Sequence, residues 1–189
     1  MLRKSEIFKK VFNLFWVVLF LMVGSVWLWA GGRKMKLYSP AFADKGRIPL
    51  KYVMPAAGGQ NISPPLKWEG VPEGTKSLVL VCVDIHPIAR NWIHWIVINI
   101  PPETTKFKEG ASLKEIKSPI LELENTYGFK GWGGPQPPPG TGEHPYVFKL
   151  FALKVSEIKL SSRPSYEEIL RAIKPHLIAE TEFTGYFGR

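Results

Sequence analysis

The chain has 189 residues, 45% hydrophobic and 22% charged, with 17 Pro and 17 Gly. That is an ordinary globular composition whose many turn residues favour a β-rich fold over a helical bundle. The formal charge of +9 is not carried by one surface: setting aside Arg3, Lys4, Lys9, Lys10 and Glu6 leaves 21 basic and 15 acidic residues, or +6. This mild excess, with no basic run interleaved with aromatics, argues against nucleic acid and suits an anionic ligand or surface.

At the N-terminus, a basic stub precedes twenty residues, Val11–Ala30, that carry no charge and only Asn13 and Ser25 as polar interruptions. As a helix rising about 1.5 Å per residue, this stretch would cross the roughly 30 Å hydrocarbon core of a bilayer. The basic residues in front predict a cytoplasmic N-terminus and an extracytoplasmic domain, and Trp27 and Trp29 fit an interfacial belt. Leu28-Trp29-Ala30 is a poor cleavage site, which favours an uncleaved anchor over a removed signal peptide; either leaves the domain outside the cytoplasm. Residues 1–32 are therefore read as stub and anchor, and 33–189 as one domain of ordinary size.

The domain opens with a strand over Met35–Phe42 and a turn at Ala43–Gly46. A second strand is expected over Ile48–Val53, with Pro49 marking an edge or strand start. Asn61–Pro65 reads as loop and Leu66–Trp68 as a short strand. The turn Val71–Thr75 then leads into the core strand Ser77–Val83. The next strand, Asn91–Ile100, is stopped by Pro101-Pro102. Residues 103–125 read as loop with one short strand near Ile120–Leu123. A Gly- and Pro-rich loop from Gly131 delivers His144 and Tyr146 to the strand Val147–Leu153. Ser165-Tyr166-Glu167-Glu168 is a capping box opening a helix striped with Ile169, Leu170 and Ile173, which Pro175 ends. The tail Leu177–Arg189 returns to the body. The sum is a mainly β, antiparallel sandwich-like domain with one or two short C-terminal helices.

Chemistry-bearing residues gather between Asp84 and Tyr146. Strand alternation sends His144 and Tyr146 to one face, and Asp84 and His86 to one face if the strand runs on that far. A carboxylate closing an apolar strand is costly without a partner, so a nearby imidazole is expected to pair with Asp84 and keep its other nitrogen free for a ligand. Together with His94, these groups and the loop amides would form a donor-rich pocket for phosphate, phosphonate or carboxylate oxygens, with Trp92, Trp95 and Trp132 covering the rest of a ligand. Metal binding is the rival reading, because His94, His144 and Asp84 or His86 are acceptable zinc ligands; their sequence spacing is unlike a compact metal motif, and no metal or cofactor is expected. Hydrolysis is weaker, since no Ser lies in a nucleophile motif and Thr141 stands in a loop. Cys82, among Val and Leu, reads as a small core residue, and a single cysteine excludes an intramolecular disulfide.

The run Gly59–Leu78, then Asp84 with His94-Trp95, then Gly134-Pro135 and Gly140–Tyr146, resembles the phosphatidylethanolamine-binding protein family in its bacterial and archaeal Raf kinase inhibitor-like branch. The resemblance spans roughly Leu37 to Arg189. It implies a sandwich-like fold with a small cavity for phosphate-type anions and phospholipid headgroups, and a protein that acts by binding rather than as an enzyme, with a kinase or a protease among the partners such members regulate. Asp84, His94, Pro137, His144 and Tyr146 match the family's pocket residues. One departure stands out: where the family reads Asp-Pro-Asp-x-Pro, this chain has Asp84-Ile85-His86-Pro87-Ile88, so an imidazole replaces a carboxylate and the pocket becomes less negative. That change puts headgroup specificity, but not the cavity, in question.

Overall fold

The computed structural model describes residues 34–189. The expected membrane segment lies outside them; among the described residues no helix is long and apolar enough to cross a membrane. The elements are β1 (Lys36–Tyr38), β2 (Gly46–Arg47), β3 (Leu66–Glu69), β4 (Ser77–Asp84), β5 (Trp92–Ile100), β6 (Lys106–Phe107), β7 (Leu121–Glu122), β8 (Glu143–Leu153), one α-helix (Tyr166–Ile173) and β9 (Leu177–Gly188). They form a three-stranded sheet, β1-β3-β6, and a six-stranded sheet, β2-β9-β8-β4-β5-β7.

The central strands show why the layers form. β4 is buried on both faces, so its alternating side chains feed two cores. Leu78, Leu80 and Cys82 pack with Leu37, Leu66, Trp68 and Phe107 of the small sheet. Val79, Val81 and Val83 pack with Ile158, Ile169 and Ile173 around the helix. Full burial of a Leu or Val contributes about 1.5–3 kcal/mol each, so these two faces account for much of the drive to fold. The Ser165 hydroxyl caps the helix by accepting from Glu168 N–H at 3.1 Å. Glu168 itself takes the Ser161 N–H and hydroxyl.

Several expectations need correction. Ile48–Val53 is not a strand: Pro49 O accepts the Tyr52 N–H at 3.0 Å, winding a 3-10 turn over Leu50–Tyr52. The pairing falls instead on Gly46–Arg47, which runs parallel to Gly185–Tyr186. Lys106–Phe107, read as loop, adds a strand to the small sheet beside Leu66–Lys67. The tail is a twelve-residue strand paired with β8 along its whole length. β8 starts at Glu143 rather than Val147, despite Pro145. Opposite Tyr146, β4 ends at Asp84, and Pro145 O there accepts the Ile85 N–H at 3.2 Å. Past that end the proline's missing N–H breaks no ladder bond.

Candidate functional site

The end of β4 organises the site. Asp84 stands opposite Tyr146 of β8 on one side and Trp92 of β5 on the other. His144 lies two residues before Tyr146, hence on the same face. His94 arrives by a different device. Cys82 pairs with Trp95 while Val83 pairs with Ile93, leaving His94 as the extra residue of a β-bulge. Bulges re-aim side chains, and here both His94 and Trp95 turn toward the core shared with Tyr146. The loop from Gly131 to Gly142 closes over the top. Its backbone passes close under Tyr52, where a Cβ on Gly134 would collide with the Tyr52 carbonyl, so glycine is required.

The result is a cavity of about 330 Å³ lined by Asp84, His94, Pro137, His144 and Tyr146, with Trp92, Tyr127, Gln136, Pro138, Ile88 and Ala89 completing the wall. Five of the six expected site residues therefore share one hollow. His86 does not line it. The strand stops at Asp84, so alternation no longer governs His86. Its ring instead stacks behind His144, centroids 3.9 Å apart and 17° from parallel. Of the three tryptophans only Trp92 reaches the cavity; the indoles of Trp95 and Trp132 donate to Glu122 and to Tyr52 O within the body.

One half of the cavity is saturated with internal hydrogen bonds. Asp84, 4% exposed, accepts His144 Nδ1–H at 2.6 Å and His86 N–H at 2.8 Å. The other imidazole nitrogen meets Thr141 Oγ at 2.9 Å, so it is not free as expected. The Thr141 hydroxyl also reaches Pro138 O at 2.7 Å. Thr141 gives its one hydroxyl proton to Pro138 O, so it accepts at the ring nitrogen of His144. Pro137 is fixed from outside: its carbonyl accepts Arg189 Nε–H at 2.6 Å.

The other half is unsatisfied. His94 donates Nδ1–H to Gly133 O at 2.6 Å, which leaves Nε2 as a lone pair in the neutral ring. Burial pushes its pKa down to about 4, against the opposing pull of the Gly133 bond and the Asp84 charge. Tyr146, stacked edge-on to His94 at 4.9 Å, is fully buried, and its hydroxyl has no partner. Burial, with the Asp84 charge second, raises the pKa of that phenol and keeps it neutral. Trp92 Nε1 is likewise buried and unpartnered. Among the described residues, no three His, Cys, Asp or Glu side chains are grouped to hold a metal ion. Sequence reasoning missed Tyr127, whose hydroxyl donates to Gly134 O at 3.1 Å, and Arg189. It also passed over the bond between Thr141 and His144. Only Thr141 carried a readable signal, its position three residues before the histidine.

Comparison with known proteins identifies the family. Residues 38–188 match the family model described as phosphatidylethanolamine-binding protein. A UPF0098 protein of Methanothermobacter thermautotrophicus is 38% identical over 156 residues, 82% of this chain and 99% of the relative. The crystal structure of Escherichia coli YbcL, a new member of the mammalian PEBP family, superposes with a TM-score of 0.76 at 30% identity, covering 82% of this chain and 99% of that one. Chlamydia trachomatis CT736, a putative phosphatidylethanolamine-binding protein homolog, gives 0.69 at 35% identity, covering 82% and 98%. Matched along nearly the whole described domain in both sequence and fold, the chain belongs to the phosphatidylethanolamine-binding protein family, in its bacterial and archaeal branch.

Proposed function

We propose that the protein is a membrane-tethered, extracytoplasmic binding protein whose cavity takes a small oxyanion of phosphate type, the chemistry shared by free phosphate and a phospholipid headgroup. It acts by binding, as a regulator or inhibitor of a partner protein such as a kinase or a secreted protease, and not as an enzyme. The observation that carries the ligand reading is the Tyr146 hydroxyl, buried in the cavity wall without a partner. An unsatisfied buried polar group costs about 1–3 kcal/mol, which a ligand oxygen would offset. Trp92 Nε1 adds a second such donor. The family's binding role and the cationic excess of the domain support the same reading. The test is thermal unfolding of residues 33–189, the part that contains the family match over residues 38–188. Millimolar phosphate or a phosphomonoester should raise Tm by mass action, and Tyr146→Phe should remove most of the rise. No shift in the native protein would end the proposal.

The tether rests on the uncharged stretch Val11–Ala30 behind a basic stub. Protease added to cells stripped of any outer barrier should then degrade the domain while sparing cytoplasmic proteins; protection would refute that location. One observation favours a second reading. Thr141 Oγ, His144 and Asp84 stand in the order of a hydrolytic triad, at 2.9 and 2.6 Å, although the Thr141 proton goes to Pro138 O and not to the ring. Thr141, however, is absent from the cavity wall, so a bound ligand would lie on the far side of His144. Turnover of p-nitrophenyl esters that disappears in both Thr141→Ala and Asp84→Asn would favour this alternative.

A further inference from the structure

We propose that His94 makes the cavity selective for phosphomonoesters, or phosphate itself, over phosphodiesters, because it presents an acceptor where an oxyanion must dock. The inference rests on the oxyanion reading above and names the class of ligand within it.

The geometry begins at the bulge. His94 is 2% exposed, and Gly133 O can only accept, so the 2.6 Å contact fixes the ring proton on Nδ1. Nε2 is then the nitrogen left to face a ligand, and it carries a lone pair. The charged and titratable groups around this ring are Asp84, His144, Tyr127 and Tyr146. Asp84 has both oxygens engaged by His144 and His86, and Tyr127 gives its proton to Gly134 O. Neither can supply a proton to the space between His94 and the ligand. The donors available to an anion are Tyr146 and Trp92, whose buried O–H and N–H have no partner.

An oxyanion that meets these donors also meets the His94 lone pair. A singly ionised phosphomonoester satisfies both, since its remaining P–OH donates to Nε2 while its charged oxygens accept. A phosphodiester has no such proton, so it must either leave two acceptors facing each other or draw a proton onto His94 from solution. The second route is hard because burial holds the ring neutral down to about pH 4. A phosphomonoester gains its second proton near pH 6. Taking up a proton at neutral pH is thus about two units easier for the monoester complex, or about 100-fold in affinity.

The experiment is calorimetric titration of the full-length chain, solubilised in a phosphate-free non-ionic detergent, with O-phosphoethanolamine and with glycerophosphoethanolamine at about pH 7. The monoester should bind roughly 100-fold tighter. Its affinity should be level below about pH 6 and fall about tenfold per unit above. His94→Asn keeps a donor for Gly133 O but has no atom at the Nε2 position, and it should bring the two ligands within a few-fold of each other. If that variant does not fold, the pH profile of the native protein decides. Equal affinities, a preference for the diester, or a monoester preference that survives in His94→Asn would overturn the selectivity and leave the oxyanion cavity standing. Binding of neither compound would remove both readings.

Discussion

Because His94 is buried as the neutral base, acid should destabilise the fold through this one residue by a calculable amount. The native ring titrates near 4, against about 6.5 when exposed in the unfolded chain. Between those values the unfolded state binds the proton and the native state does not, so stability falls as the pH drops through that window. At about 1.4 kcal/mol per unit, going from about pH 7 to about pH 5 removes about 2 kcal/mol, and the loss levels off near 3 kcal/mol below about pH 4. His94→Asn retains the hydrogen bond to Gly133 but cannot titrate. The difference in urea-unfolding free energy between native protein and variant should therefore shrink by about 2 kcal/mol across that range, while the shared carboxylates cancel. A difference that stays constant within a few tenths of a kcal/mol would refute the reasoning, because it would mean the ring is already protonated or not buried.

Other perturbations follow from the same geometry. Asp84→Asn leaves a buried imidazole without its carboxylate and should cost about 3 kcal/mol in urea unfolding, the usual cost of breaking a buried pair from one side. Tyr146→Phe deletes a hydroxyl that has no partner and should leave stability unchanged or raise it by about 1 kcal/mol, while reducing the thermal shift given by phosphate. Ser165→Ala removes the helix cap and should cost about 1 kcal/mol with no effect on ligand response. Arg189→Ala frees the Pro137 and Ala56 carbonyls, and faster amide exchange over residues 133–142 should report a looser cavity roof.

The fold was most legible where burial and periodicity agree. β4 read as a core strand because an unbroken apolar run bounded by turns has few other uses, and the helix because Ser165 and its apolar stripe coincide. β9 was illegible because a strand with one wet face, flanked on its outer side only by the two-residue β2, alternates weakly: Glu180, Glu182 and Tyr186 point outward between Phe183, Gly185 and Phe187. Pro49 is ambiguous in the sequence, since its fixed φ serves a 3-10 turn as well as a strand start. Within the site, Asp84, His144 and Tyr146 followed from side-chain alternation and the cost of a buried carboxylate. His94 joined them through a bulge, which no period-two argument predicts. His86 dropped out because β4 ends at Asp84, two residues before it.

These placements divide the cavity into two halves that should respond to mutation in opposite ways. Asp84, His144, Thr141 and Pro138 satisfy one another, so their bonds are present without ligand and contribute to folding. Tyr146, Trp92 and the Nε2 of His94 have no such partners and contribute nothing that a ligand must first displace. Substitution in the first group should lower stability and weaken binding together, since it loosens the wall that holds the donors in place. Substitution in the second should weaken binding while leaving stability level or higher, as expected where unsatisfied groups are retained for function. His94 belongs to both halves, because its Nδ1 is committed to Gly133 and its Nε2 is not. Asn at position 94 keeps the first role and loses the second, so at neutral pH it should separate ligand recognition from folding at a single residue.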